Sequence, residues 1–146
     1  EEKVNFAGEM SGHIFFGDEY YGFDDALYVG LRLLRILGKT NKTLSQLLQE
    51  IPKYHSTPEM RLNCKNDKEK FEITEKAIKY FKKNYDCITI DGVRMKFDNG
   101  WGLVRSSNTQ PVIVCRFEAT NNDDLLKIKK NVLNKIQEFG SIEYDE

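Results

Sequence analysis

The feature that most constrains the fold is a series of short alternating segments between residues 93 and 119. Residues 93–97 alternate apolar and basic side chains, and the turn signal Asp98-Asn99-Gly100 follows directly. Alternation of this kind is typical of a strand with one buried face, and Asn-Gly favours a tight hairpin turn. Further strands are predicted from Trp101 to Arg105 and through the alternating residues 113–119. The sequence therefore predicts an antiparallel sheet in this part of the chain.

Helical patterns accompany these strands. Apolar side chains recur at intervals of three and four residues in two long segments, which is the spacing of one helix face. These stripes are Phe71, Thr74, Ile78, Phe81 and Tyr85 in the first segment and Leu125, Ile128, Val132, Ile136 and Phe139 in the second. We predict the α+β class, with a C-terminal antiparallel sheet of about four strands and two helices on one face, preceded by a partial α/β domain.

A change of pattern near residues 52–58 predicts a domain boundary. Before it, two helices are expected, one beginning near Asp24 and a shorter one that begins with a capping-box pair at Thr43. The two acids at the start of the first helix are expected to favour its dipole rather than to bind a cation. The segment 52–58 holds two prolines and no periodic pattern, which is typical of a connection. We therefore predict one domain over residues 1–55 and a second over residues 56–146.

Composition argues against several classes of protein. The chain carries 22 Lys and Arg against 23 Asp and Glu, so it lacks the basic excess typical of nucleic-acid binders. Apolar runs such as Val112–Cys115 are far shorter than the roughly 20 residues of a membrane span, and no membrane partner is expected. Cys64, Cys87 and Cys115 lack metal-binding spacing and are predicted to be buried free thiols, as in a cytoplasmic protein. The chain opens on Glu-Glu-Lys without Met, and we expect a piece of a longer protein.

Two loops carry residue types suited to ligand binding. The first is Gly8-Glu9-Met10-Ser11-Gly12-His13, in which two glycines bracket a carboxylate and a hydroxyl and lead to an imidazole. Glycine lets a backbone approach a ligand closely, a carboxylate can accept two hydroxyl hydrogens, and Ser11 can donate or accept. This combination suits a polyhydroxylated ligand. A polar turn in which His13 makes only a structural hydrogen bond would show the same residue types.

The second loop is Arg105-Ser106-Ser107-Asn108-Thr109, which ends shortly before Pro111. An arginine fork matches the geometry of phosphate, and hydroxyl, amide and backbone N–H groups add further donors. No acidic residue occurs between Asn99 and Phe117, and Arg116 lies on the polar phase of the following strand. These features indicate an anion site, although a solvated turn rich in Ser and Asn has the same composition.

Both loops resemble segments of one known family. The loop from Gly8 to His13 resembles the sugar-binding loop of the α-D-phosphohexomutases, in their phosphomannomutase/phosphoglucomutase branch. Three further segments resemble the phosphate-binding C-terminal domain of that family: Asp91-Gly92-Val93-Arg94, Gly100-Trp101-Gly102-Leu103-Val104 and Arg105 to Pro111. The motifs occur in the family's order, so the resemblance covers the whole chain. It implies the end of a third domain followed by the whole of a fourth.

The resemblance implies a parent enzyme that is an isomerase of carbohydrate metabolism. Such enzymes interconvert hexose 1-phosphate and hexose 6-phosphate through a bisphosphorylated sugar, glucose 1,6-bisphosphate or mannose 1,6-bisphosphate. Their phosphoryl donor is a phosphoserine of the first domain, and aspartates of the second domain hold Mg²⁺. Neither motif occurs in these 146 residues. The chain alone is therefore expected to be inactive, with hexose phosphates and the N-terminal domains of the same protein as its partners.

The resemblance also assigns roles to individual residues. Sugar hydroxyls are expected at Glu9, Met10, Ser11, Gly12 and His13, and His13 is also a candidate for proton transfer. The phosphate that is not reacting is expected at Arg105, Ser106, Ser107, Asn108, Thr109 and Arg116. No metal site is expected in this chain. Two other interpretations stay open: a non-catalytic phosphosugar-binding module would use the same residues, and an RNA-binding sheet would need exposed aromatic rings on its central strands.

Overall fold

A computed structural model of the chain describes residues 4–9 and 11–143. It divides into two compact units, Glu1–Pro52 and Lys53–Glu146. The predicted extents of the two domains, 1–55 and 56–146, stay a prediction. No helix in the described ranges is both long and apolar enough to cross a membrane.

The first unit contains a small hairpin and two helices. Strands β1 (Phe6–Gly8) and β2 (Ile14–Phe16) pair antiparallel. Helix α1 covers Ala26–Gly38 and helix α2 covers Leu44–Leu48. The predicted capping box of α2 is confirmed, because the Thr43 side chain accepts from a backbone N–H three residues on and the reciprocal bond is present. None of the described residues in this unit is fully buried.

The second unit is built on a six-stranded antiparallel sheet. Its strands are β3 (His55–Ser56), β4 (Met60–Asn63), β5 (Cys87–Ile88), β6 (Val93–Phe97), β7 (Gly100–Ser106) and β8 (Val112–Ala119). They follow the order β3-β8-β7-β6-β5, and β4 also pairs with β8. The α+β class is confirmed, whereas the expected number of about four strands is corrected to six. The two-residue strand β3 is too short to form a period-two pattern.

Helices α3 (Asp67–Asn84) and α4 (Asn122–Gln137) pack on one face of this sheet and share one core with it. The predicted stripe of α3 is partly wrong. Phe71 is 53% exposed. The buried residues of the helix are Lys70, Ile73, Thr74, Ala77 and Phe81. The buried stripe therefore begins at Lys70, one residue before the predicted Phe71. It was misplaced because a lysine is ordinarily expected in solvent, whereas Lys70 lies in the core.

The other face of the sheet lies opposite α3 and α4 and presents charged side chains. Along β7, Gly102 and Val104 are buried, so the residues that alternate with them, Trp101, Leu103 and Arg105, point to the opposite face. Arg94 of β6 and Arg116 of β8 both lie opposite Leu103 in the register, so they share its face. We call this surface the open face of the sheet.

The three cysteines are free thiols, but only one is fully buried. Burial strongly raises the pKa of the Cys115 thiol. Cys64 and Cys87 are half-buried, which corrects the expectation that all three are buried, and desolvation raises the pKa of both. A raised pKa keeps a thiol protonated and weakly nucleophilic, so these residues are poor candidates for catalysis.

Candidate functional site

The predicted sugar-binding loop is the connection between β1 and β2. The backbone N–H of Glu9 donates to the carbonyl O of His13 at 2.8 Å, and that of Gly12 donates to the carbonyl O of Glu9 at 3.0 Å. Gly12 has a φ of +92°, which a residue with a side chain rarely adopts. The Ser11 hydroxyl donates to the Glu9 carboxylate at 3.1 Å, and both side chains are exposed. Met10, the remaining predicted member, lies outside the described residues.

His13 contacts a carboxylate that the sequence arguments had assigned to the helix dipole. Its Nδ1 forms a hydrogen bond with the carboxylate of Asp24. Because a carboxylate can only accept, Nδ1 is the donor, which leaves Nε2 as the other ring nitrogen for a ligand. The neighbouring Asp25 is the N-cap of α1 and accepts from the backbone N–H of Tyr28 at 3.0 Å. The Tyr20 hydroxyl also donates to Asp25 and holds the pKa of that carboxyl below its usual range.

The predicted phosphate-binding segment begins at the end of β7. Arg105 lies on the open face, and its Nη1 is 3.5 Å from the Asp91 carboxylate. Asp91 belongs to the turn before β6, and Gly92 of that turn has a φ of +73°. A Cβ atom on Gly92 would lie 2.7 Å from Cα and Cβ of Arg105, so the turn passes directly against this arginine. The turn therefore helps to fix where Arg105 lies.

The hydroxyl groups of Ser106 and Ser107 form the side-chain hydrogen bonds of the segment after Arg105. The Ser107 Oγ accepts from the backbone N–H groups of Thr109 and Gln110, each at 3.3 Å. Asn108 and Thr109 are exposed at the tip of the loop. The predicted loop residue Ser106 is instead the last residue of β7, and its hydroxyl donates to Thr74 of α3 at 2.8 Å. Ser106 is therefore bonded toward the helices, not toward the exposed tip.

Arg116 lies on the strand next to Arg105. Arg105 pairs with Val114 and Leu103 pairs with Arg116, so the two arginines are diagonal neighbours on the open face. Diagonal neighbours in antiparallel strands lie about 7–8 Å apart, within reach of long side chains. In the described ranges the Nε of Arg116 is a buried donor without a hydrogen-bond partner. A buried N–H without an acceptor is costly, so this donor calls for an acceptor beyond those that the described residues provide.

Two charged residues contact the predicted site residues without having been predicted as part of the site. Asp24 contacts His13 from 11 residues away, and Lys70 donates to backbone carbonyls in the loop after β7. Neither contact leaves a pattern in the sequence, because each joins segments that only the fold brings together. The described part of the chain holds no group of three His, Cys, Asp or Glu side chains that could bind a metal ion. The implied Mg²⁺ therefore has no fitting ligand set among these residues.

Comparisons with known proteins point to one family along both units of the chain. The family model described as phosphoglucomutase/phosphomannomutase, alpha/beta/alpha domain III, matches residues 1–54. The model described as phosphoglucomutase/phosphomannomutase, C-terminal domain, matches residues 59–135. A solved phosphoglucomutase/phosphomannomutase family protein from Burkholderia thailandensis superposes with a TM-score of 0.78 at 41% sequence identity. That alignment covers 95% of this chain and 30% of the solved chain.

Curated relatives give the same result. A phosphomannomutase/phosphoglucomutase of Pseudomonas putida is 47% identical over 84% of this chain, and one of Pseudomonas aeruginosa is 41% identical over 97%. A phosphoglucomutase of Neisseria gonorrhoeae is 42% identical over 84% of this chain. The chain spans only 27% to 30% of the length of these relatives. By its matches to both domain models, the chain belongs to the phosphoglucomutase/phosphomannomutase family.

Proposed function

We propose that this chain is the C-terminal part of a phosphohexomutase and binds the sugar hydroxyls and the non-reacting phosphate of its substrate. The observation that carries the proposal is the pair of arginines on the open face. Arg105 and Arg116 are diagonal neighbours, and a buried N–H of Arg116 has no acceptor in the described ranges. Two guanidinium groups beside a loop of hydroxyls form a site for a phosphate dianion. In this proposal residues 1–55 belong to a sugar-binding domain and residues 56–146 to a phosphate-binding domain.

In this proposal Arg105 provides the main charge-assisted contact with phosphate. Asp91 lies 3.5 Å from the Arg105 guanidinium and keeps that group near its working position. Ser107, Asn108 and Thr109 add hydroxyl and amide donors at the exposed tip. Ser106 supports the loop from the helix side, because its hydroxyl bonds Thr74. Holding the remote phosphate supplies binding energy that positions the reacting end of the sugar.

The sugar itself is assigned to the loop between β1 and β2. The carboxylate of Glu9 can accept from two neighbouring hydroxyl groups, and Ser11, which now donates to it, can rotate to the ligand. His13 is the candidate for proton transfer. Asp24 holds its Nδ1 and leaves Nε2 to exchange a proton with a sugar hydroxyl. Met10 and Gly12 are also assigned to the sugar site.

The complete reaction needs groups that this chain does not supply. We infer that the phosphoryl donor and the Mg²⁺ ligands belong to other domains of the same protein, which are the proposed partners of this chain. The overall reaction interconverts hexose 1-phosphate and hexose 6-phosphate, with glucose 1,6-bisphosphate or mannose 1,6-bisphosphate as intermediate and activator. Three free thiols favour a reducing compartment, and we place the protein in the cytoplasm.

The test separates the two loops by calorimetric titration of the complete protein. Arg105→Lys should weaken binding of both glucose 1-phosphate and glucose 6-phosphate by about 10- to 150-fold, because an ammonium cannot reproduce the planar fork. The matched control is Arg94→Lys, which makes the same exchange on the open face. The Arg94 guanidinium lies over the Trp101 ring, so this variant should bind both sugar phosphates normally. Glu9→Gln should lower kcat/KM but leave binding of inorganic phosphate intact.

Two outcomes would contradict the proposal. Unchanged binding of both sugar phosphates by Arg105→Lys, with normal unfolding, would remove Arg105 from the site. Equal loss of inorganic phosphate binding in Glu9→Gln would show that the two loops are not separate sites. Binding without turnover by the complete protein would instead support a phosphosugar-binding module, the alternative to an enzyme.

A further inference from the structure

Lys70 is the one charged side chain that is buried in the described ranges. It lies in the first turns of α3 and is 2% exposed. Its Nζ donates to the Asp67 carboxylate at 2.7 Å, to the carbonyl O of Ser107 at 2.8 Å and to the carbonyl O of Gln110 at 3.0 Å. An ammonium has three N–H donors, so all of them are used.

The two carbonyl contacts join α3 to the phosphate-binding segment from behind. Ser107 and Gln110 bracket the exposed Asn108 and Thr109, which are the tip of the loop. The carbonyl oxygens of Ser107 and Gln110 both accept from the ammonium, so hydrogen bonds hold the loop at its two ends. The exposed tip is free to meet a ligand. The ammonium is thus placed beneath the loop, on the side away from the tip.

A second set of hydrogen bonds joins α3 to the loop one turn further along the helix. Ser106 donates to the Thr74 hydroxyl at 2.8 Å, and that hydroxyl donates to the carbonyl O of Lys70 at 2.9 Å. Lys70 and Thr74 are the buried polar residues of the described chain, and both bond to the segment 106–110. Burying an ammonium is expensive unless its donors are satisfied. A methionine would fill similar space at this position without that cost, so the burial of a charge here needs a reason beyond packing.

We propose that Lys70 is a positioning residue of the phosphate site: its buried ammonium holds the segment 107–110 in the conformation that binds phosphate. The proposal rests on the proposed function of that segment. Lys70 does not touch the phosphate. It acts through the backbone of the loop, and its charge also favours an anion at the tip.

The test compares variants of one helix in the complete protein, with inorganic phosphate and glucose 6-phosphate as the titrated ligands. Lys70→Met keeps the length of the side chain and removes its three donors. It should weaken binding of both ligands by at least about tenfold, because two charge-assisted hydrogen bonds to the loop are lost. Thr74→Val removes one neutral link and should weaken binding by about 2- to 12-fold. Lys79→Met, an exposed lysine of the same helix, should have no effect.

Ile73→Val separates positioning from a general loss of stability. Ile73 is a buried residue of the same helix, and shortening it lowers stability without removing a hydrogen bond to the loop. It should lower the midpoint of urea unfolding and leave phosphate binding unchanged. Amide hydrogen exchange in residues 106–110 should accelerate in Lys70→Met and not in Ile73→Val. If Lys70→Met is too unstable to titrate, Thr74→Val with the same exchange measurement decides.

Normal phosphate affinity together with normal amide exchange of residues 106–110 in Lys70→Met would overturn the proposal. The same result in Thr74→Val would overturn it if Lys70→Met is too unstable to titrate. Equal loss of affinity in Ile73→Val would also overturn it, since any destabilisation would then suffice. These results differ from a failure of the proposed function. If Arg105→Lys binds phosphate normally, the segment is not the phosphate site, whereas loss in Arg105→Lys with full affinity in Lys70→Met overturns only the positioning role.

Discussion

Gly92 lies closer to its neighbours than any side chain would permit. A Cβ atom on this residue would lie 2.2 Å from the carbonyl O of Val104 and 2.7 Å from Cβ of Arg105. Its φ of +73° is also one that other residues rarely adopt. The turn therefore packs against β7 at the residue that we assign to phosphate. Any larger side chain has to push one of the two strands away.

Gly92→Ala is expected to displace Arg105 and to weaken phosphate binding by about tenfold or more, the equivalent of one charge-assisted hydrogen bond. The matched control is Gly22→Ala. Gly22 has a φ of +74°, but a methyl group on it would meet nothing within 4 Å, so this variant carries the backbone strain alone. Titration of both variants with inorganic phosphate is the measurement. Equal affinity in the two would mean that the close approach of the turn does not position Arg105.

Helix α4 begins in a cluster of side-chain hydrogen bonds. Asn121 is its N-cap and accepts from the backbone N–H of Asp124 at 2.9 Å. The Asp124 carboxylate accepts in return from the side-chain amides of Asn121 and Asn99, both at 2.8 Å. These donors hold the pKa of Asp124 below its usual range, with the Asn121 amide as the largest cause. The cluster ties the start of the helix to the turn between β6 and β7.

This lowered pKa predicts how stability depends on pH. A carboxyl group whose pKa is lower in the folded chain stabilises the fold above its unfolded pKa. That contribution is lost as the pH falls through the folded value. The urea midpoint should therefore fall between about pH 5 and pH 2 by more in the wild type than in Asp124→Asn. The fluorescence of Trp101, the single tryptophan, reports the transition. The control is Asp123→Asn, which removes a charge from the same helical turn but leaves the amide hydrogen bonds of Asp124 in place. If Asp123→Asn shows a pH dependence as shallow as that of Asp124→Asn, the effect does not come from the hydrogen bonds of Asp124.

The elements and the side chains differ in how far the sequence could predict them. The hairpin at residues 98–100 and the capping box at Thr43 were predictable because the responsible groups are local in the chain. The buried face of α3 was misplaced because Lys70 is hidden by contacts from 37 and 40 residues away. A lysine is ordinarily assigned to solvent. The residue types of the two loops indicated ligands, but Asp24 and Lys70 behind them needed the fold.

At the scale of the whole molecule, the two units differ in how much apolar surface they bury. The second unit has a core of fully buried side chains drawn from its sheet and both helices. In the first unit no described residue is fully buried. Leu27, Leu31 and Leu34 lie on one stripe of α1 and are 83%, 64% and 64% exposed. Helices in proteins are stabilised mainly by packing of an apolar face, so α1 has little to hold it in this chain.

Amide hydrogen exchange of the chain should therefore differ sharply between the units. Exchange reports the free energy of local opening, which is low where few apolar contacts are buried. We expect the amides of α1 to exchange faster than those of β8 by a factor on the order of 100 or more. Mass spectrometry of peptides from the two elements measures this ratio. The experiment is repeated at two protein concentrations, because self-association through the leucine stripe would protect α1 only at the higher one. Equal protection of α1 and β8 at low concentration would mean that the first unit has stability that its buried surface does not explain.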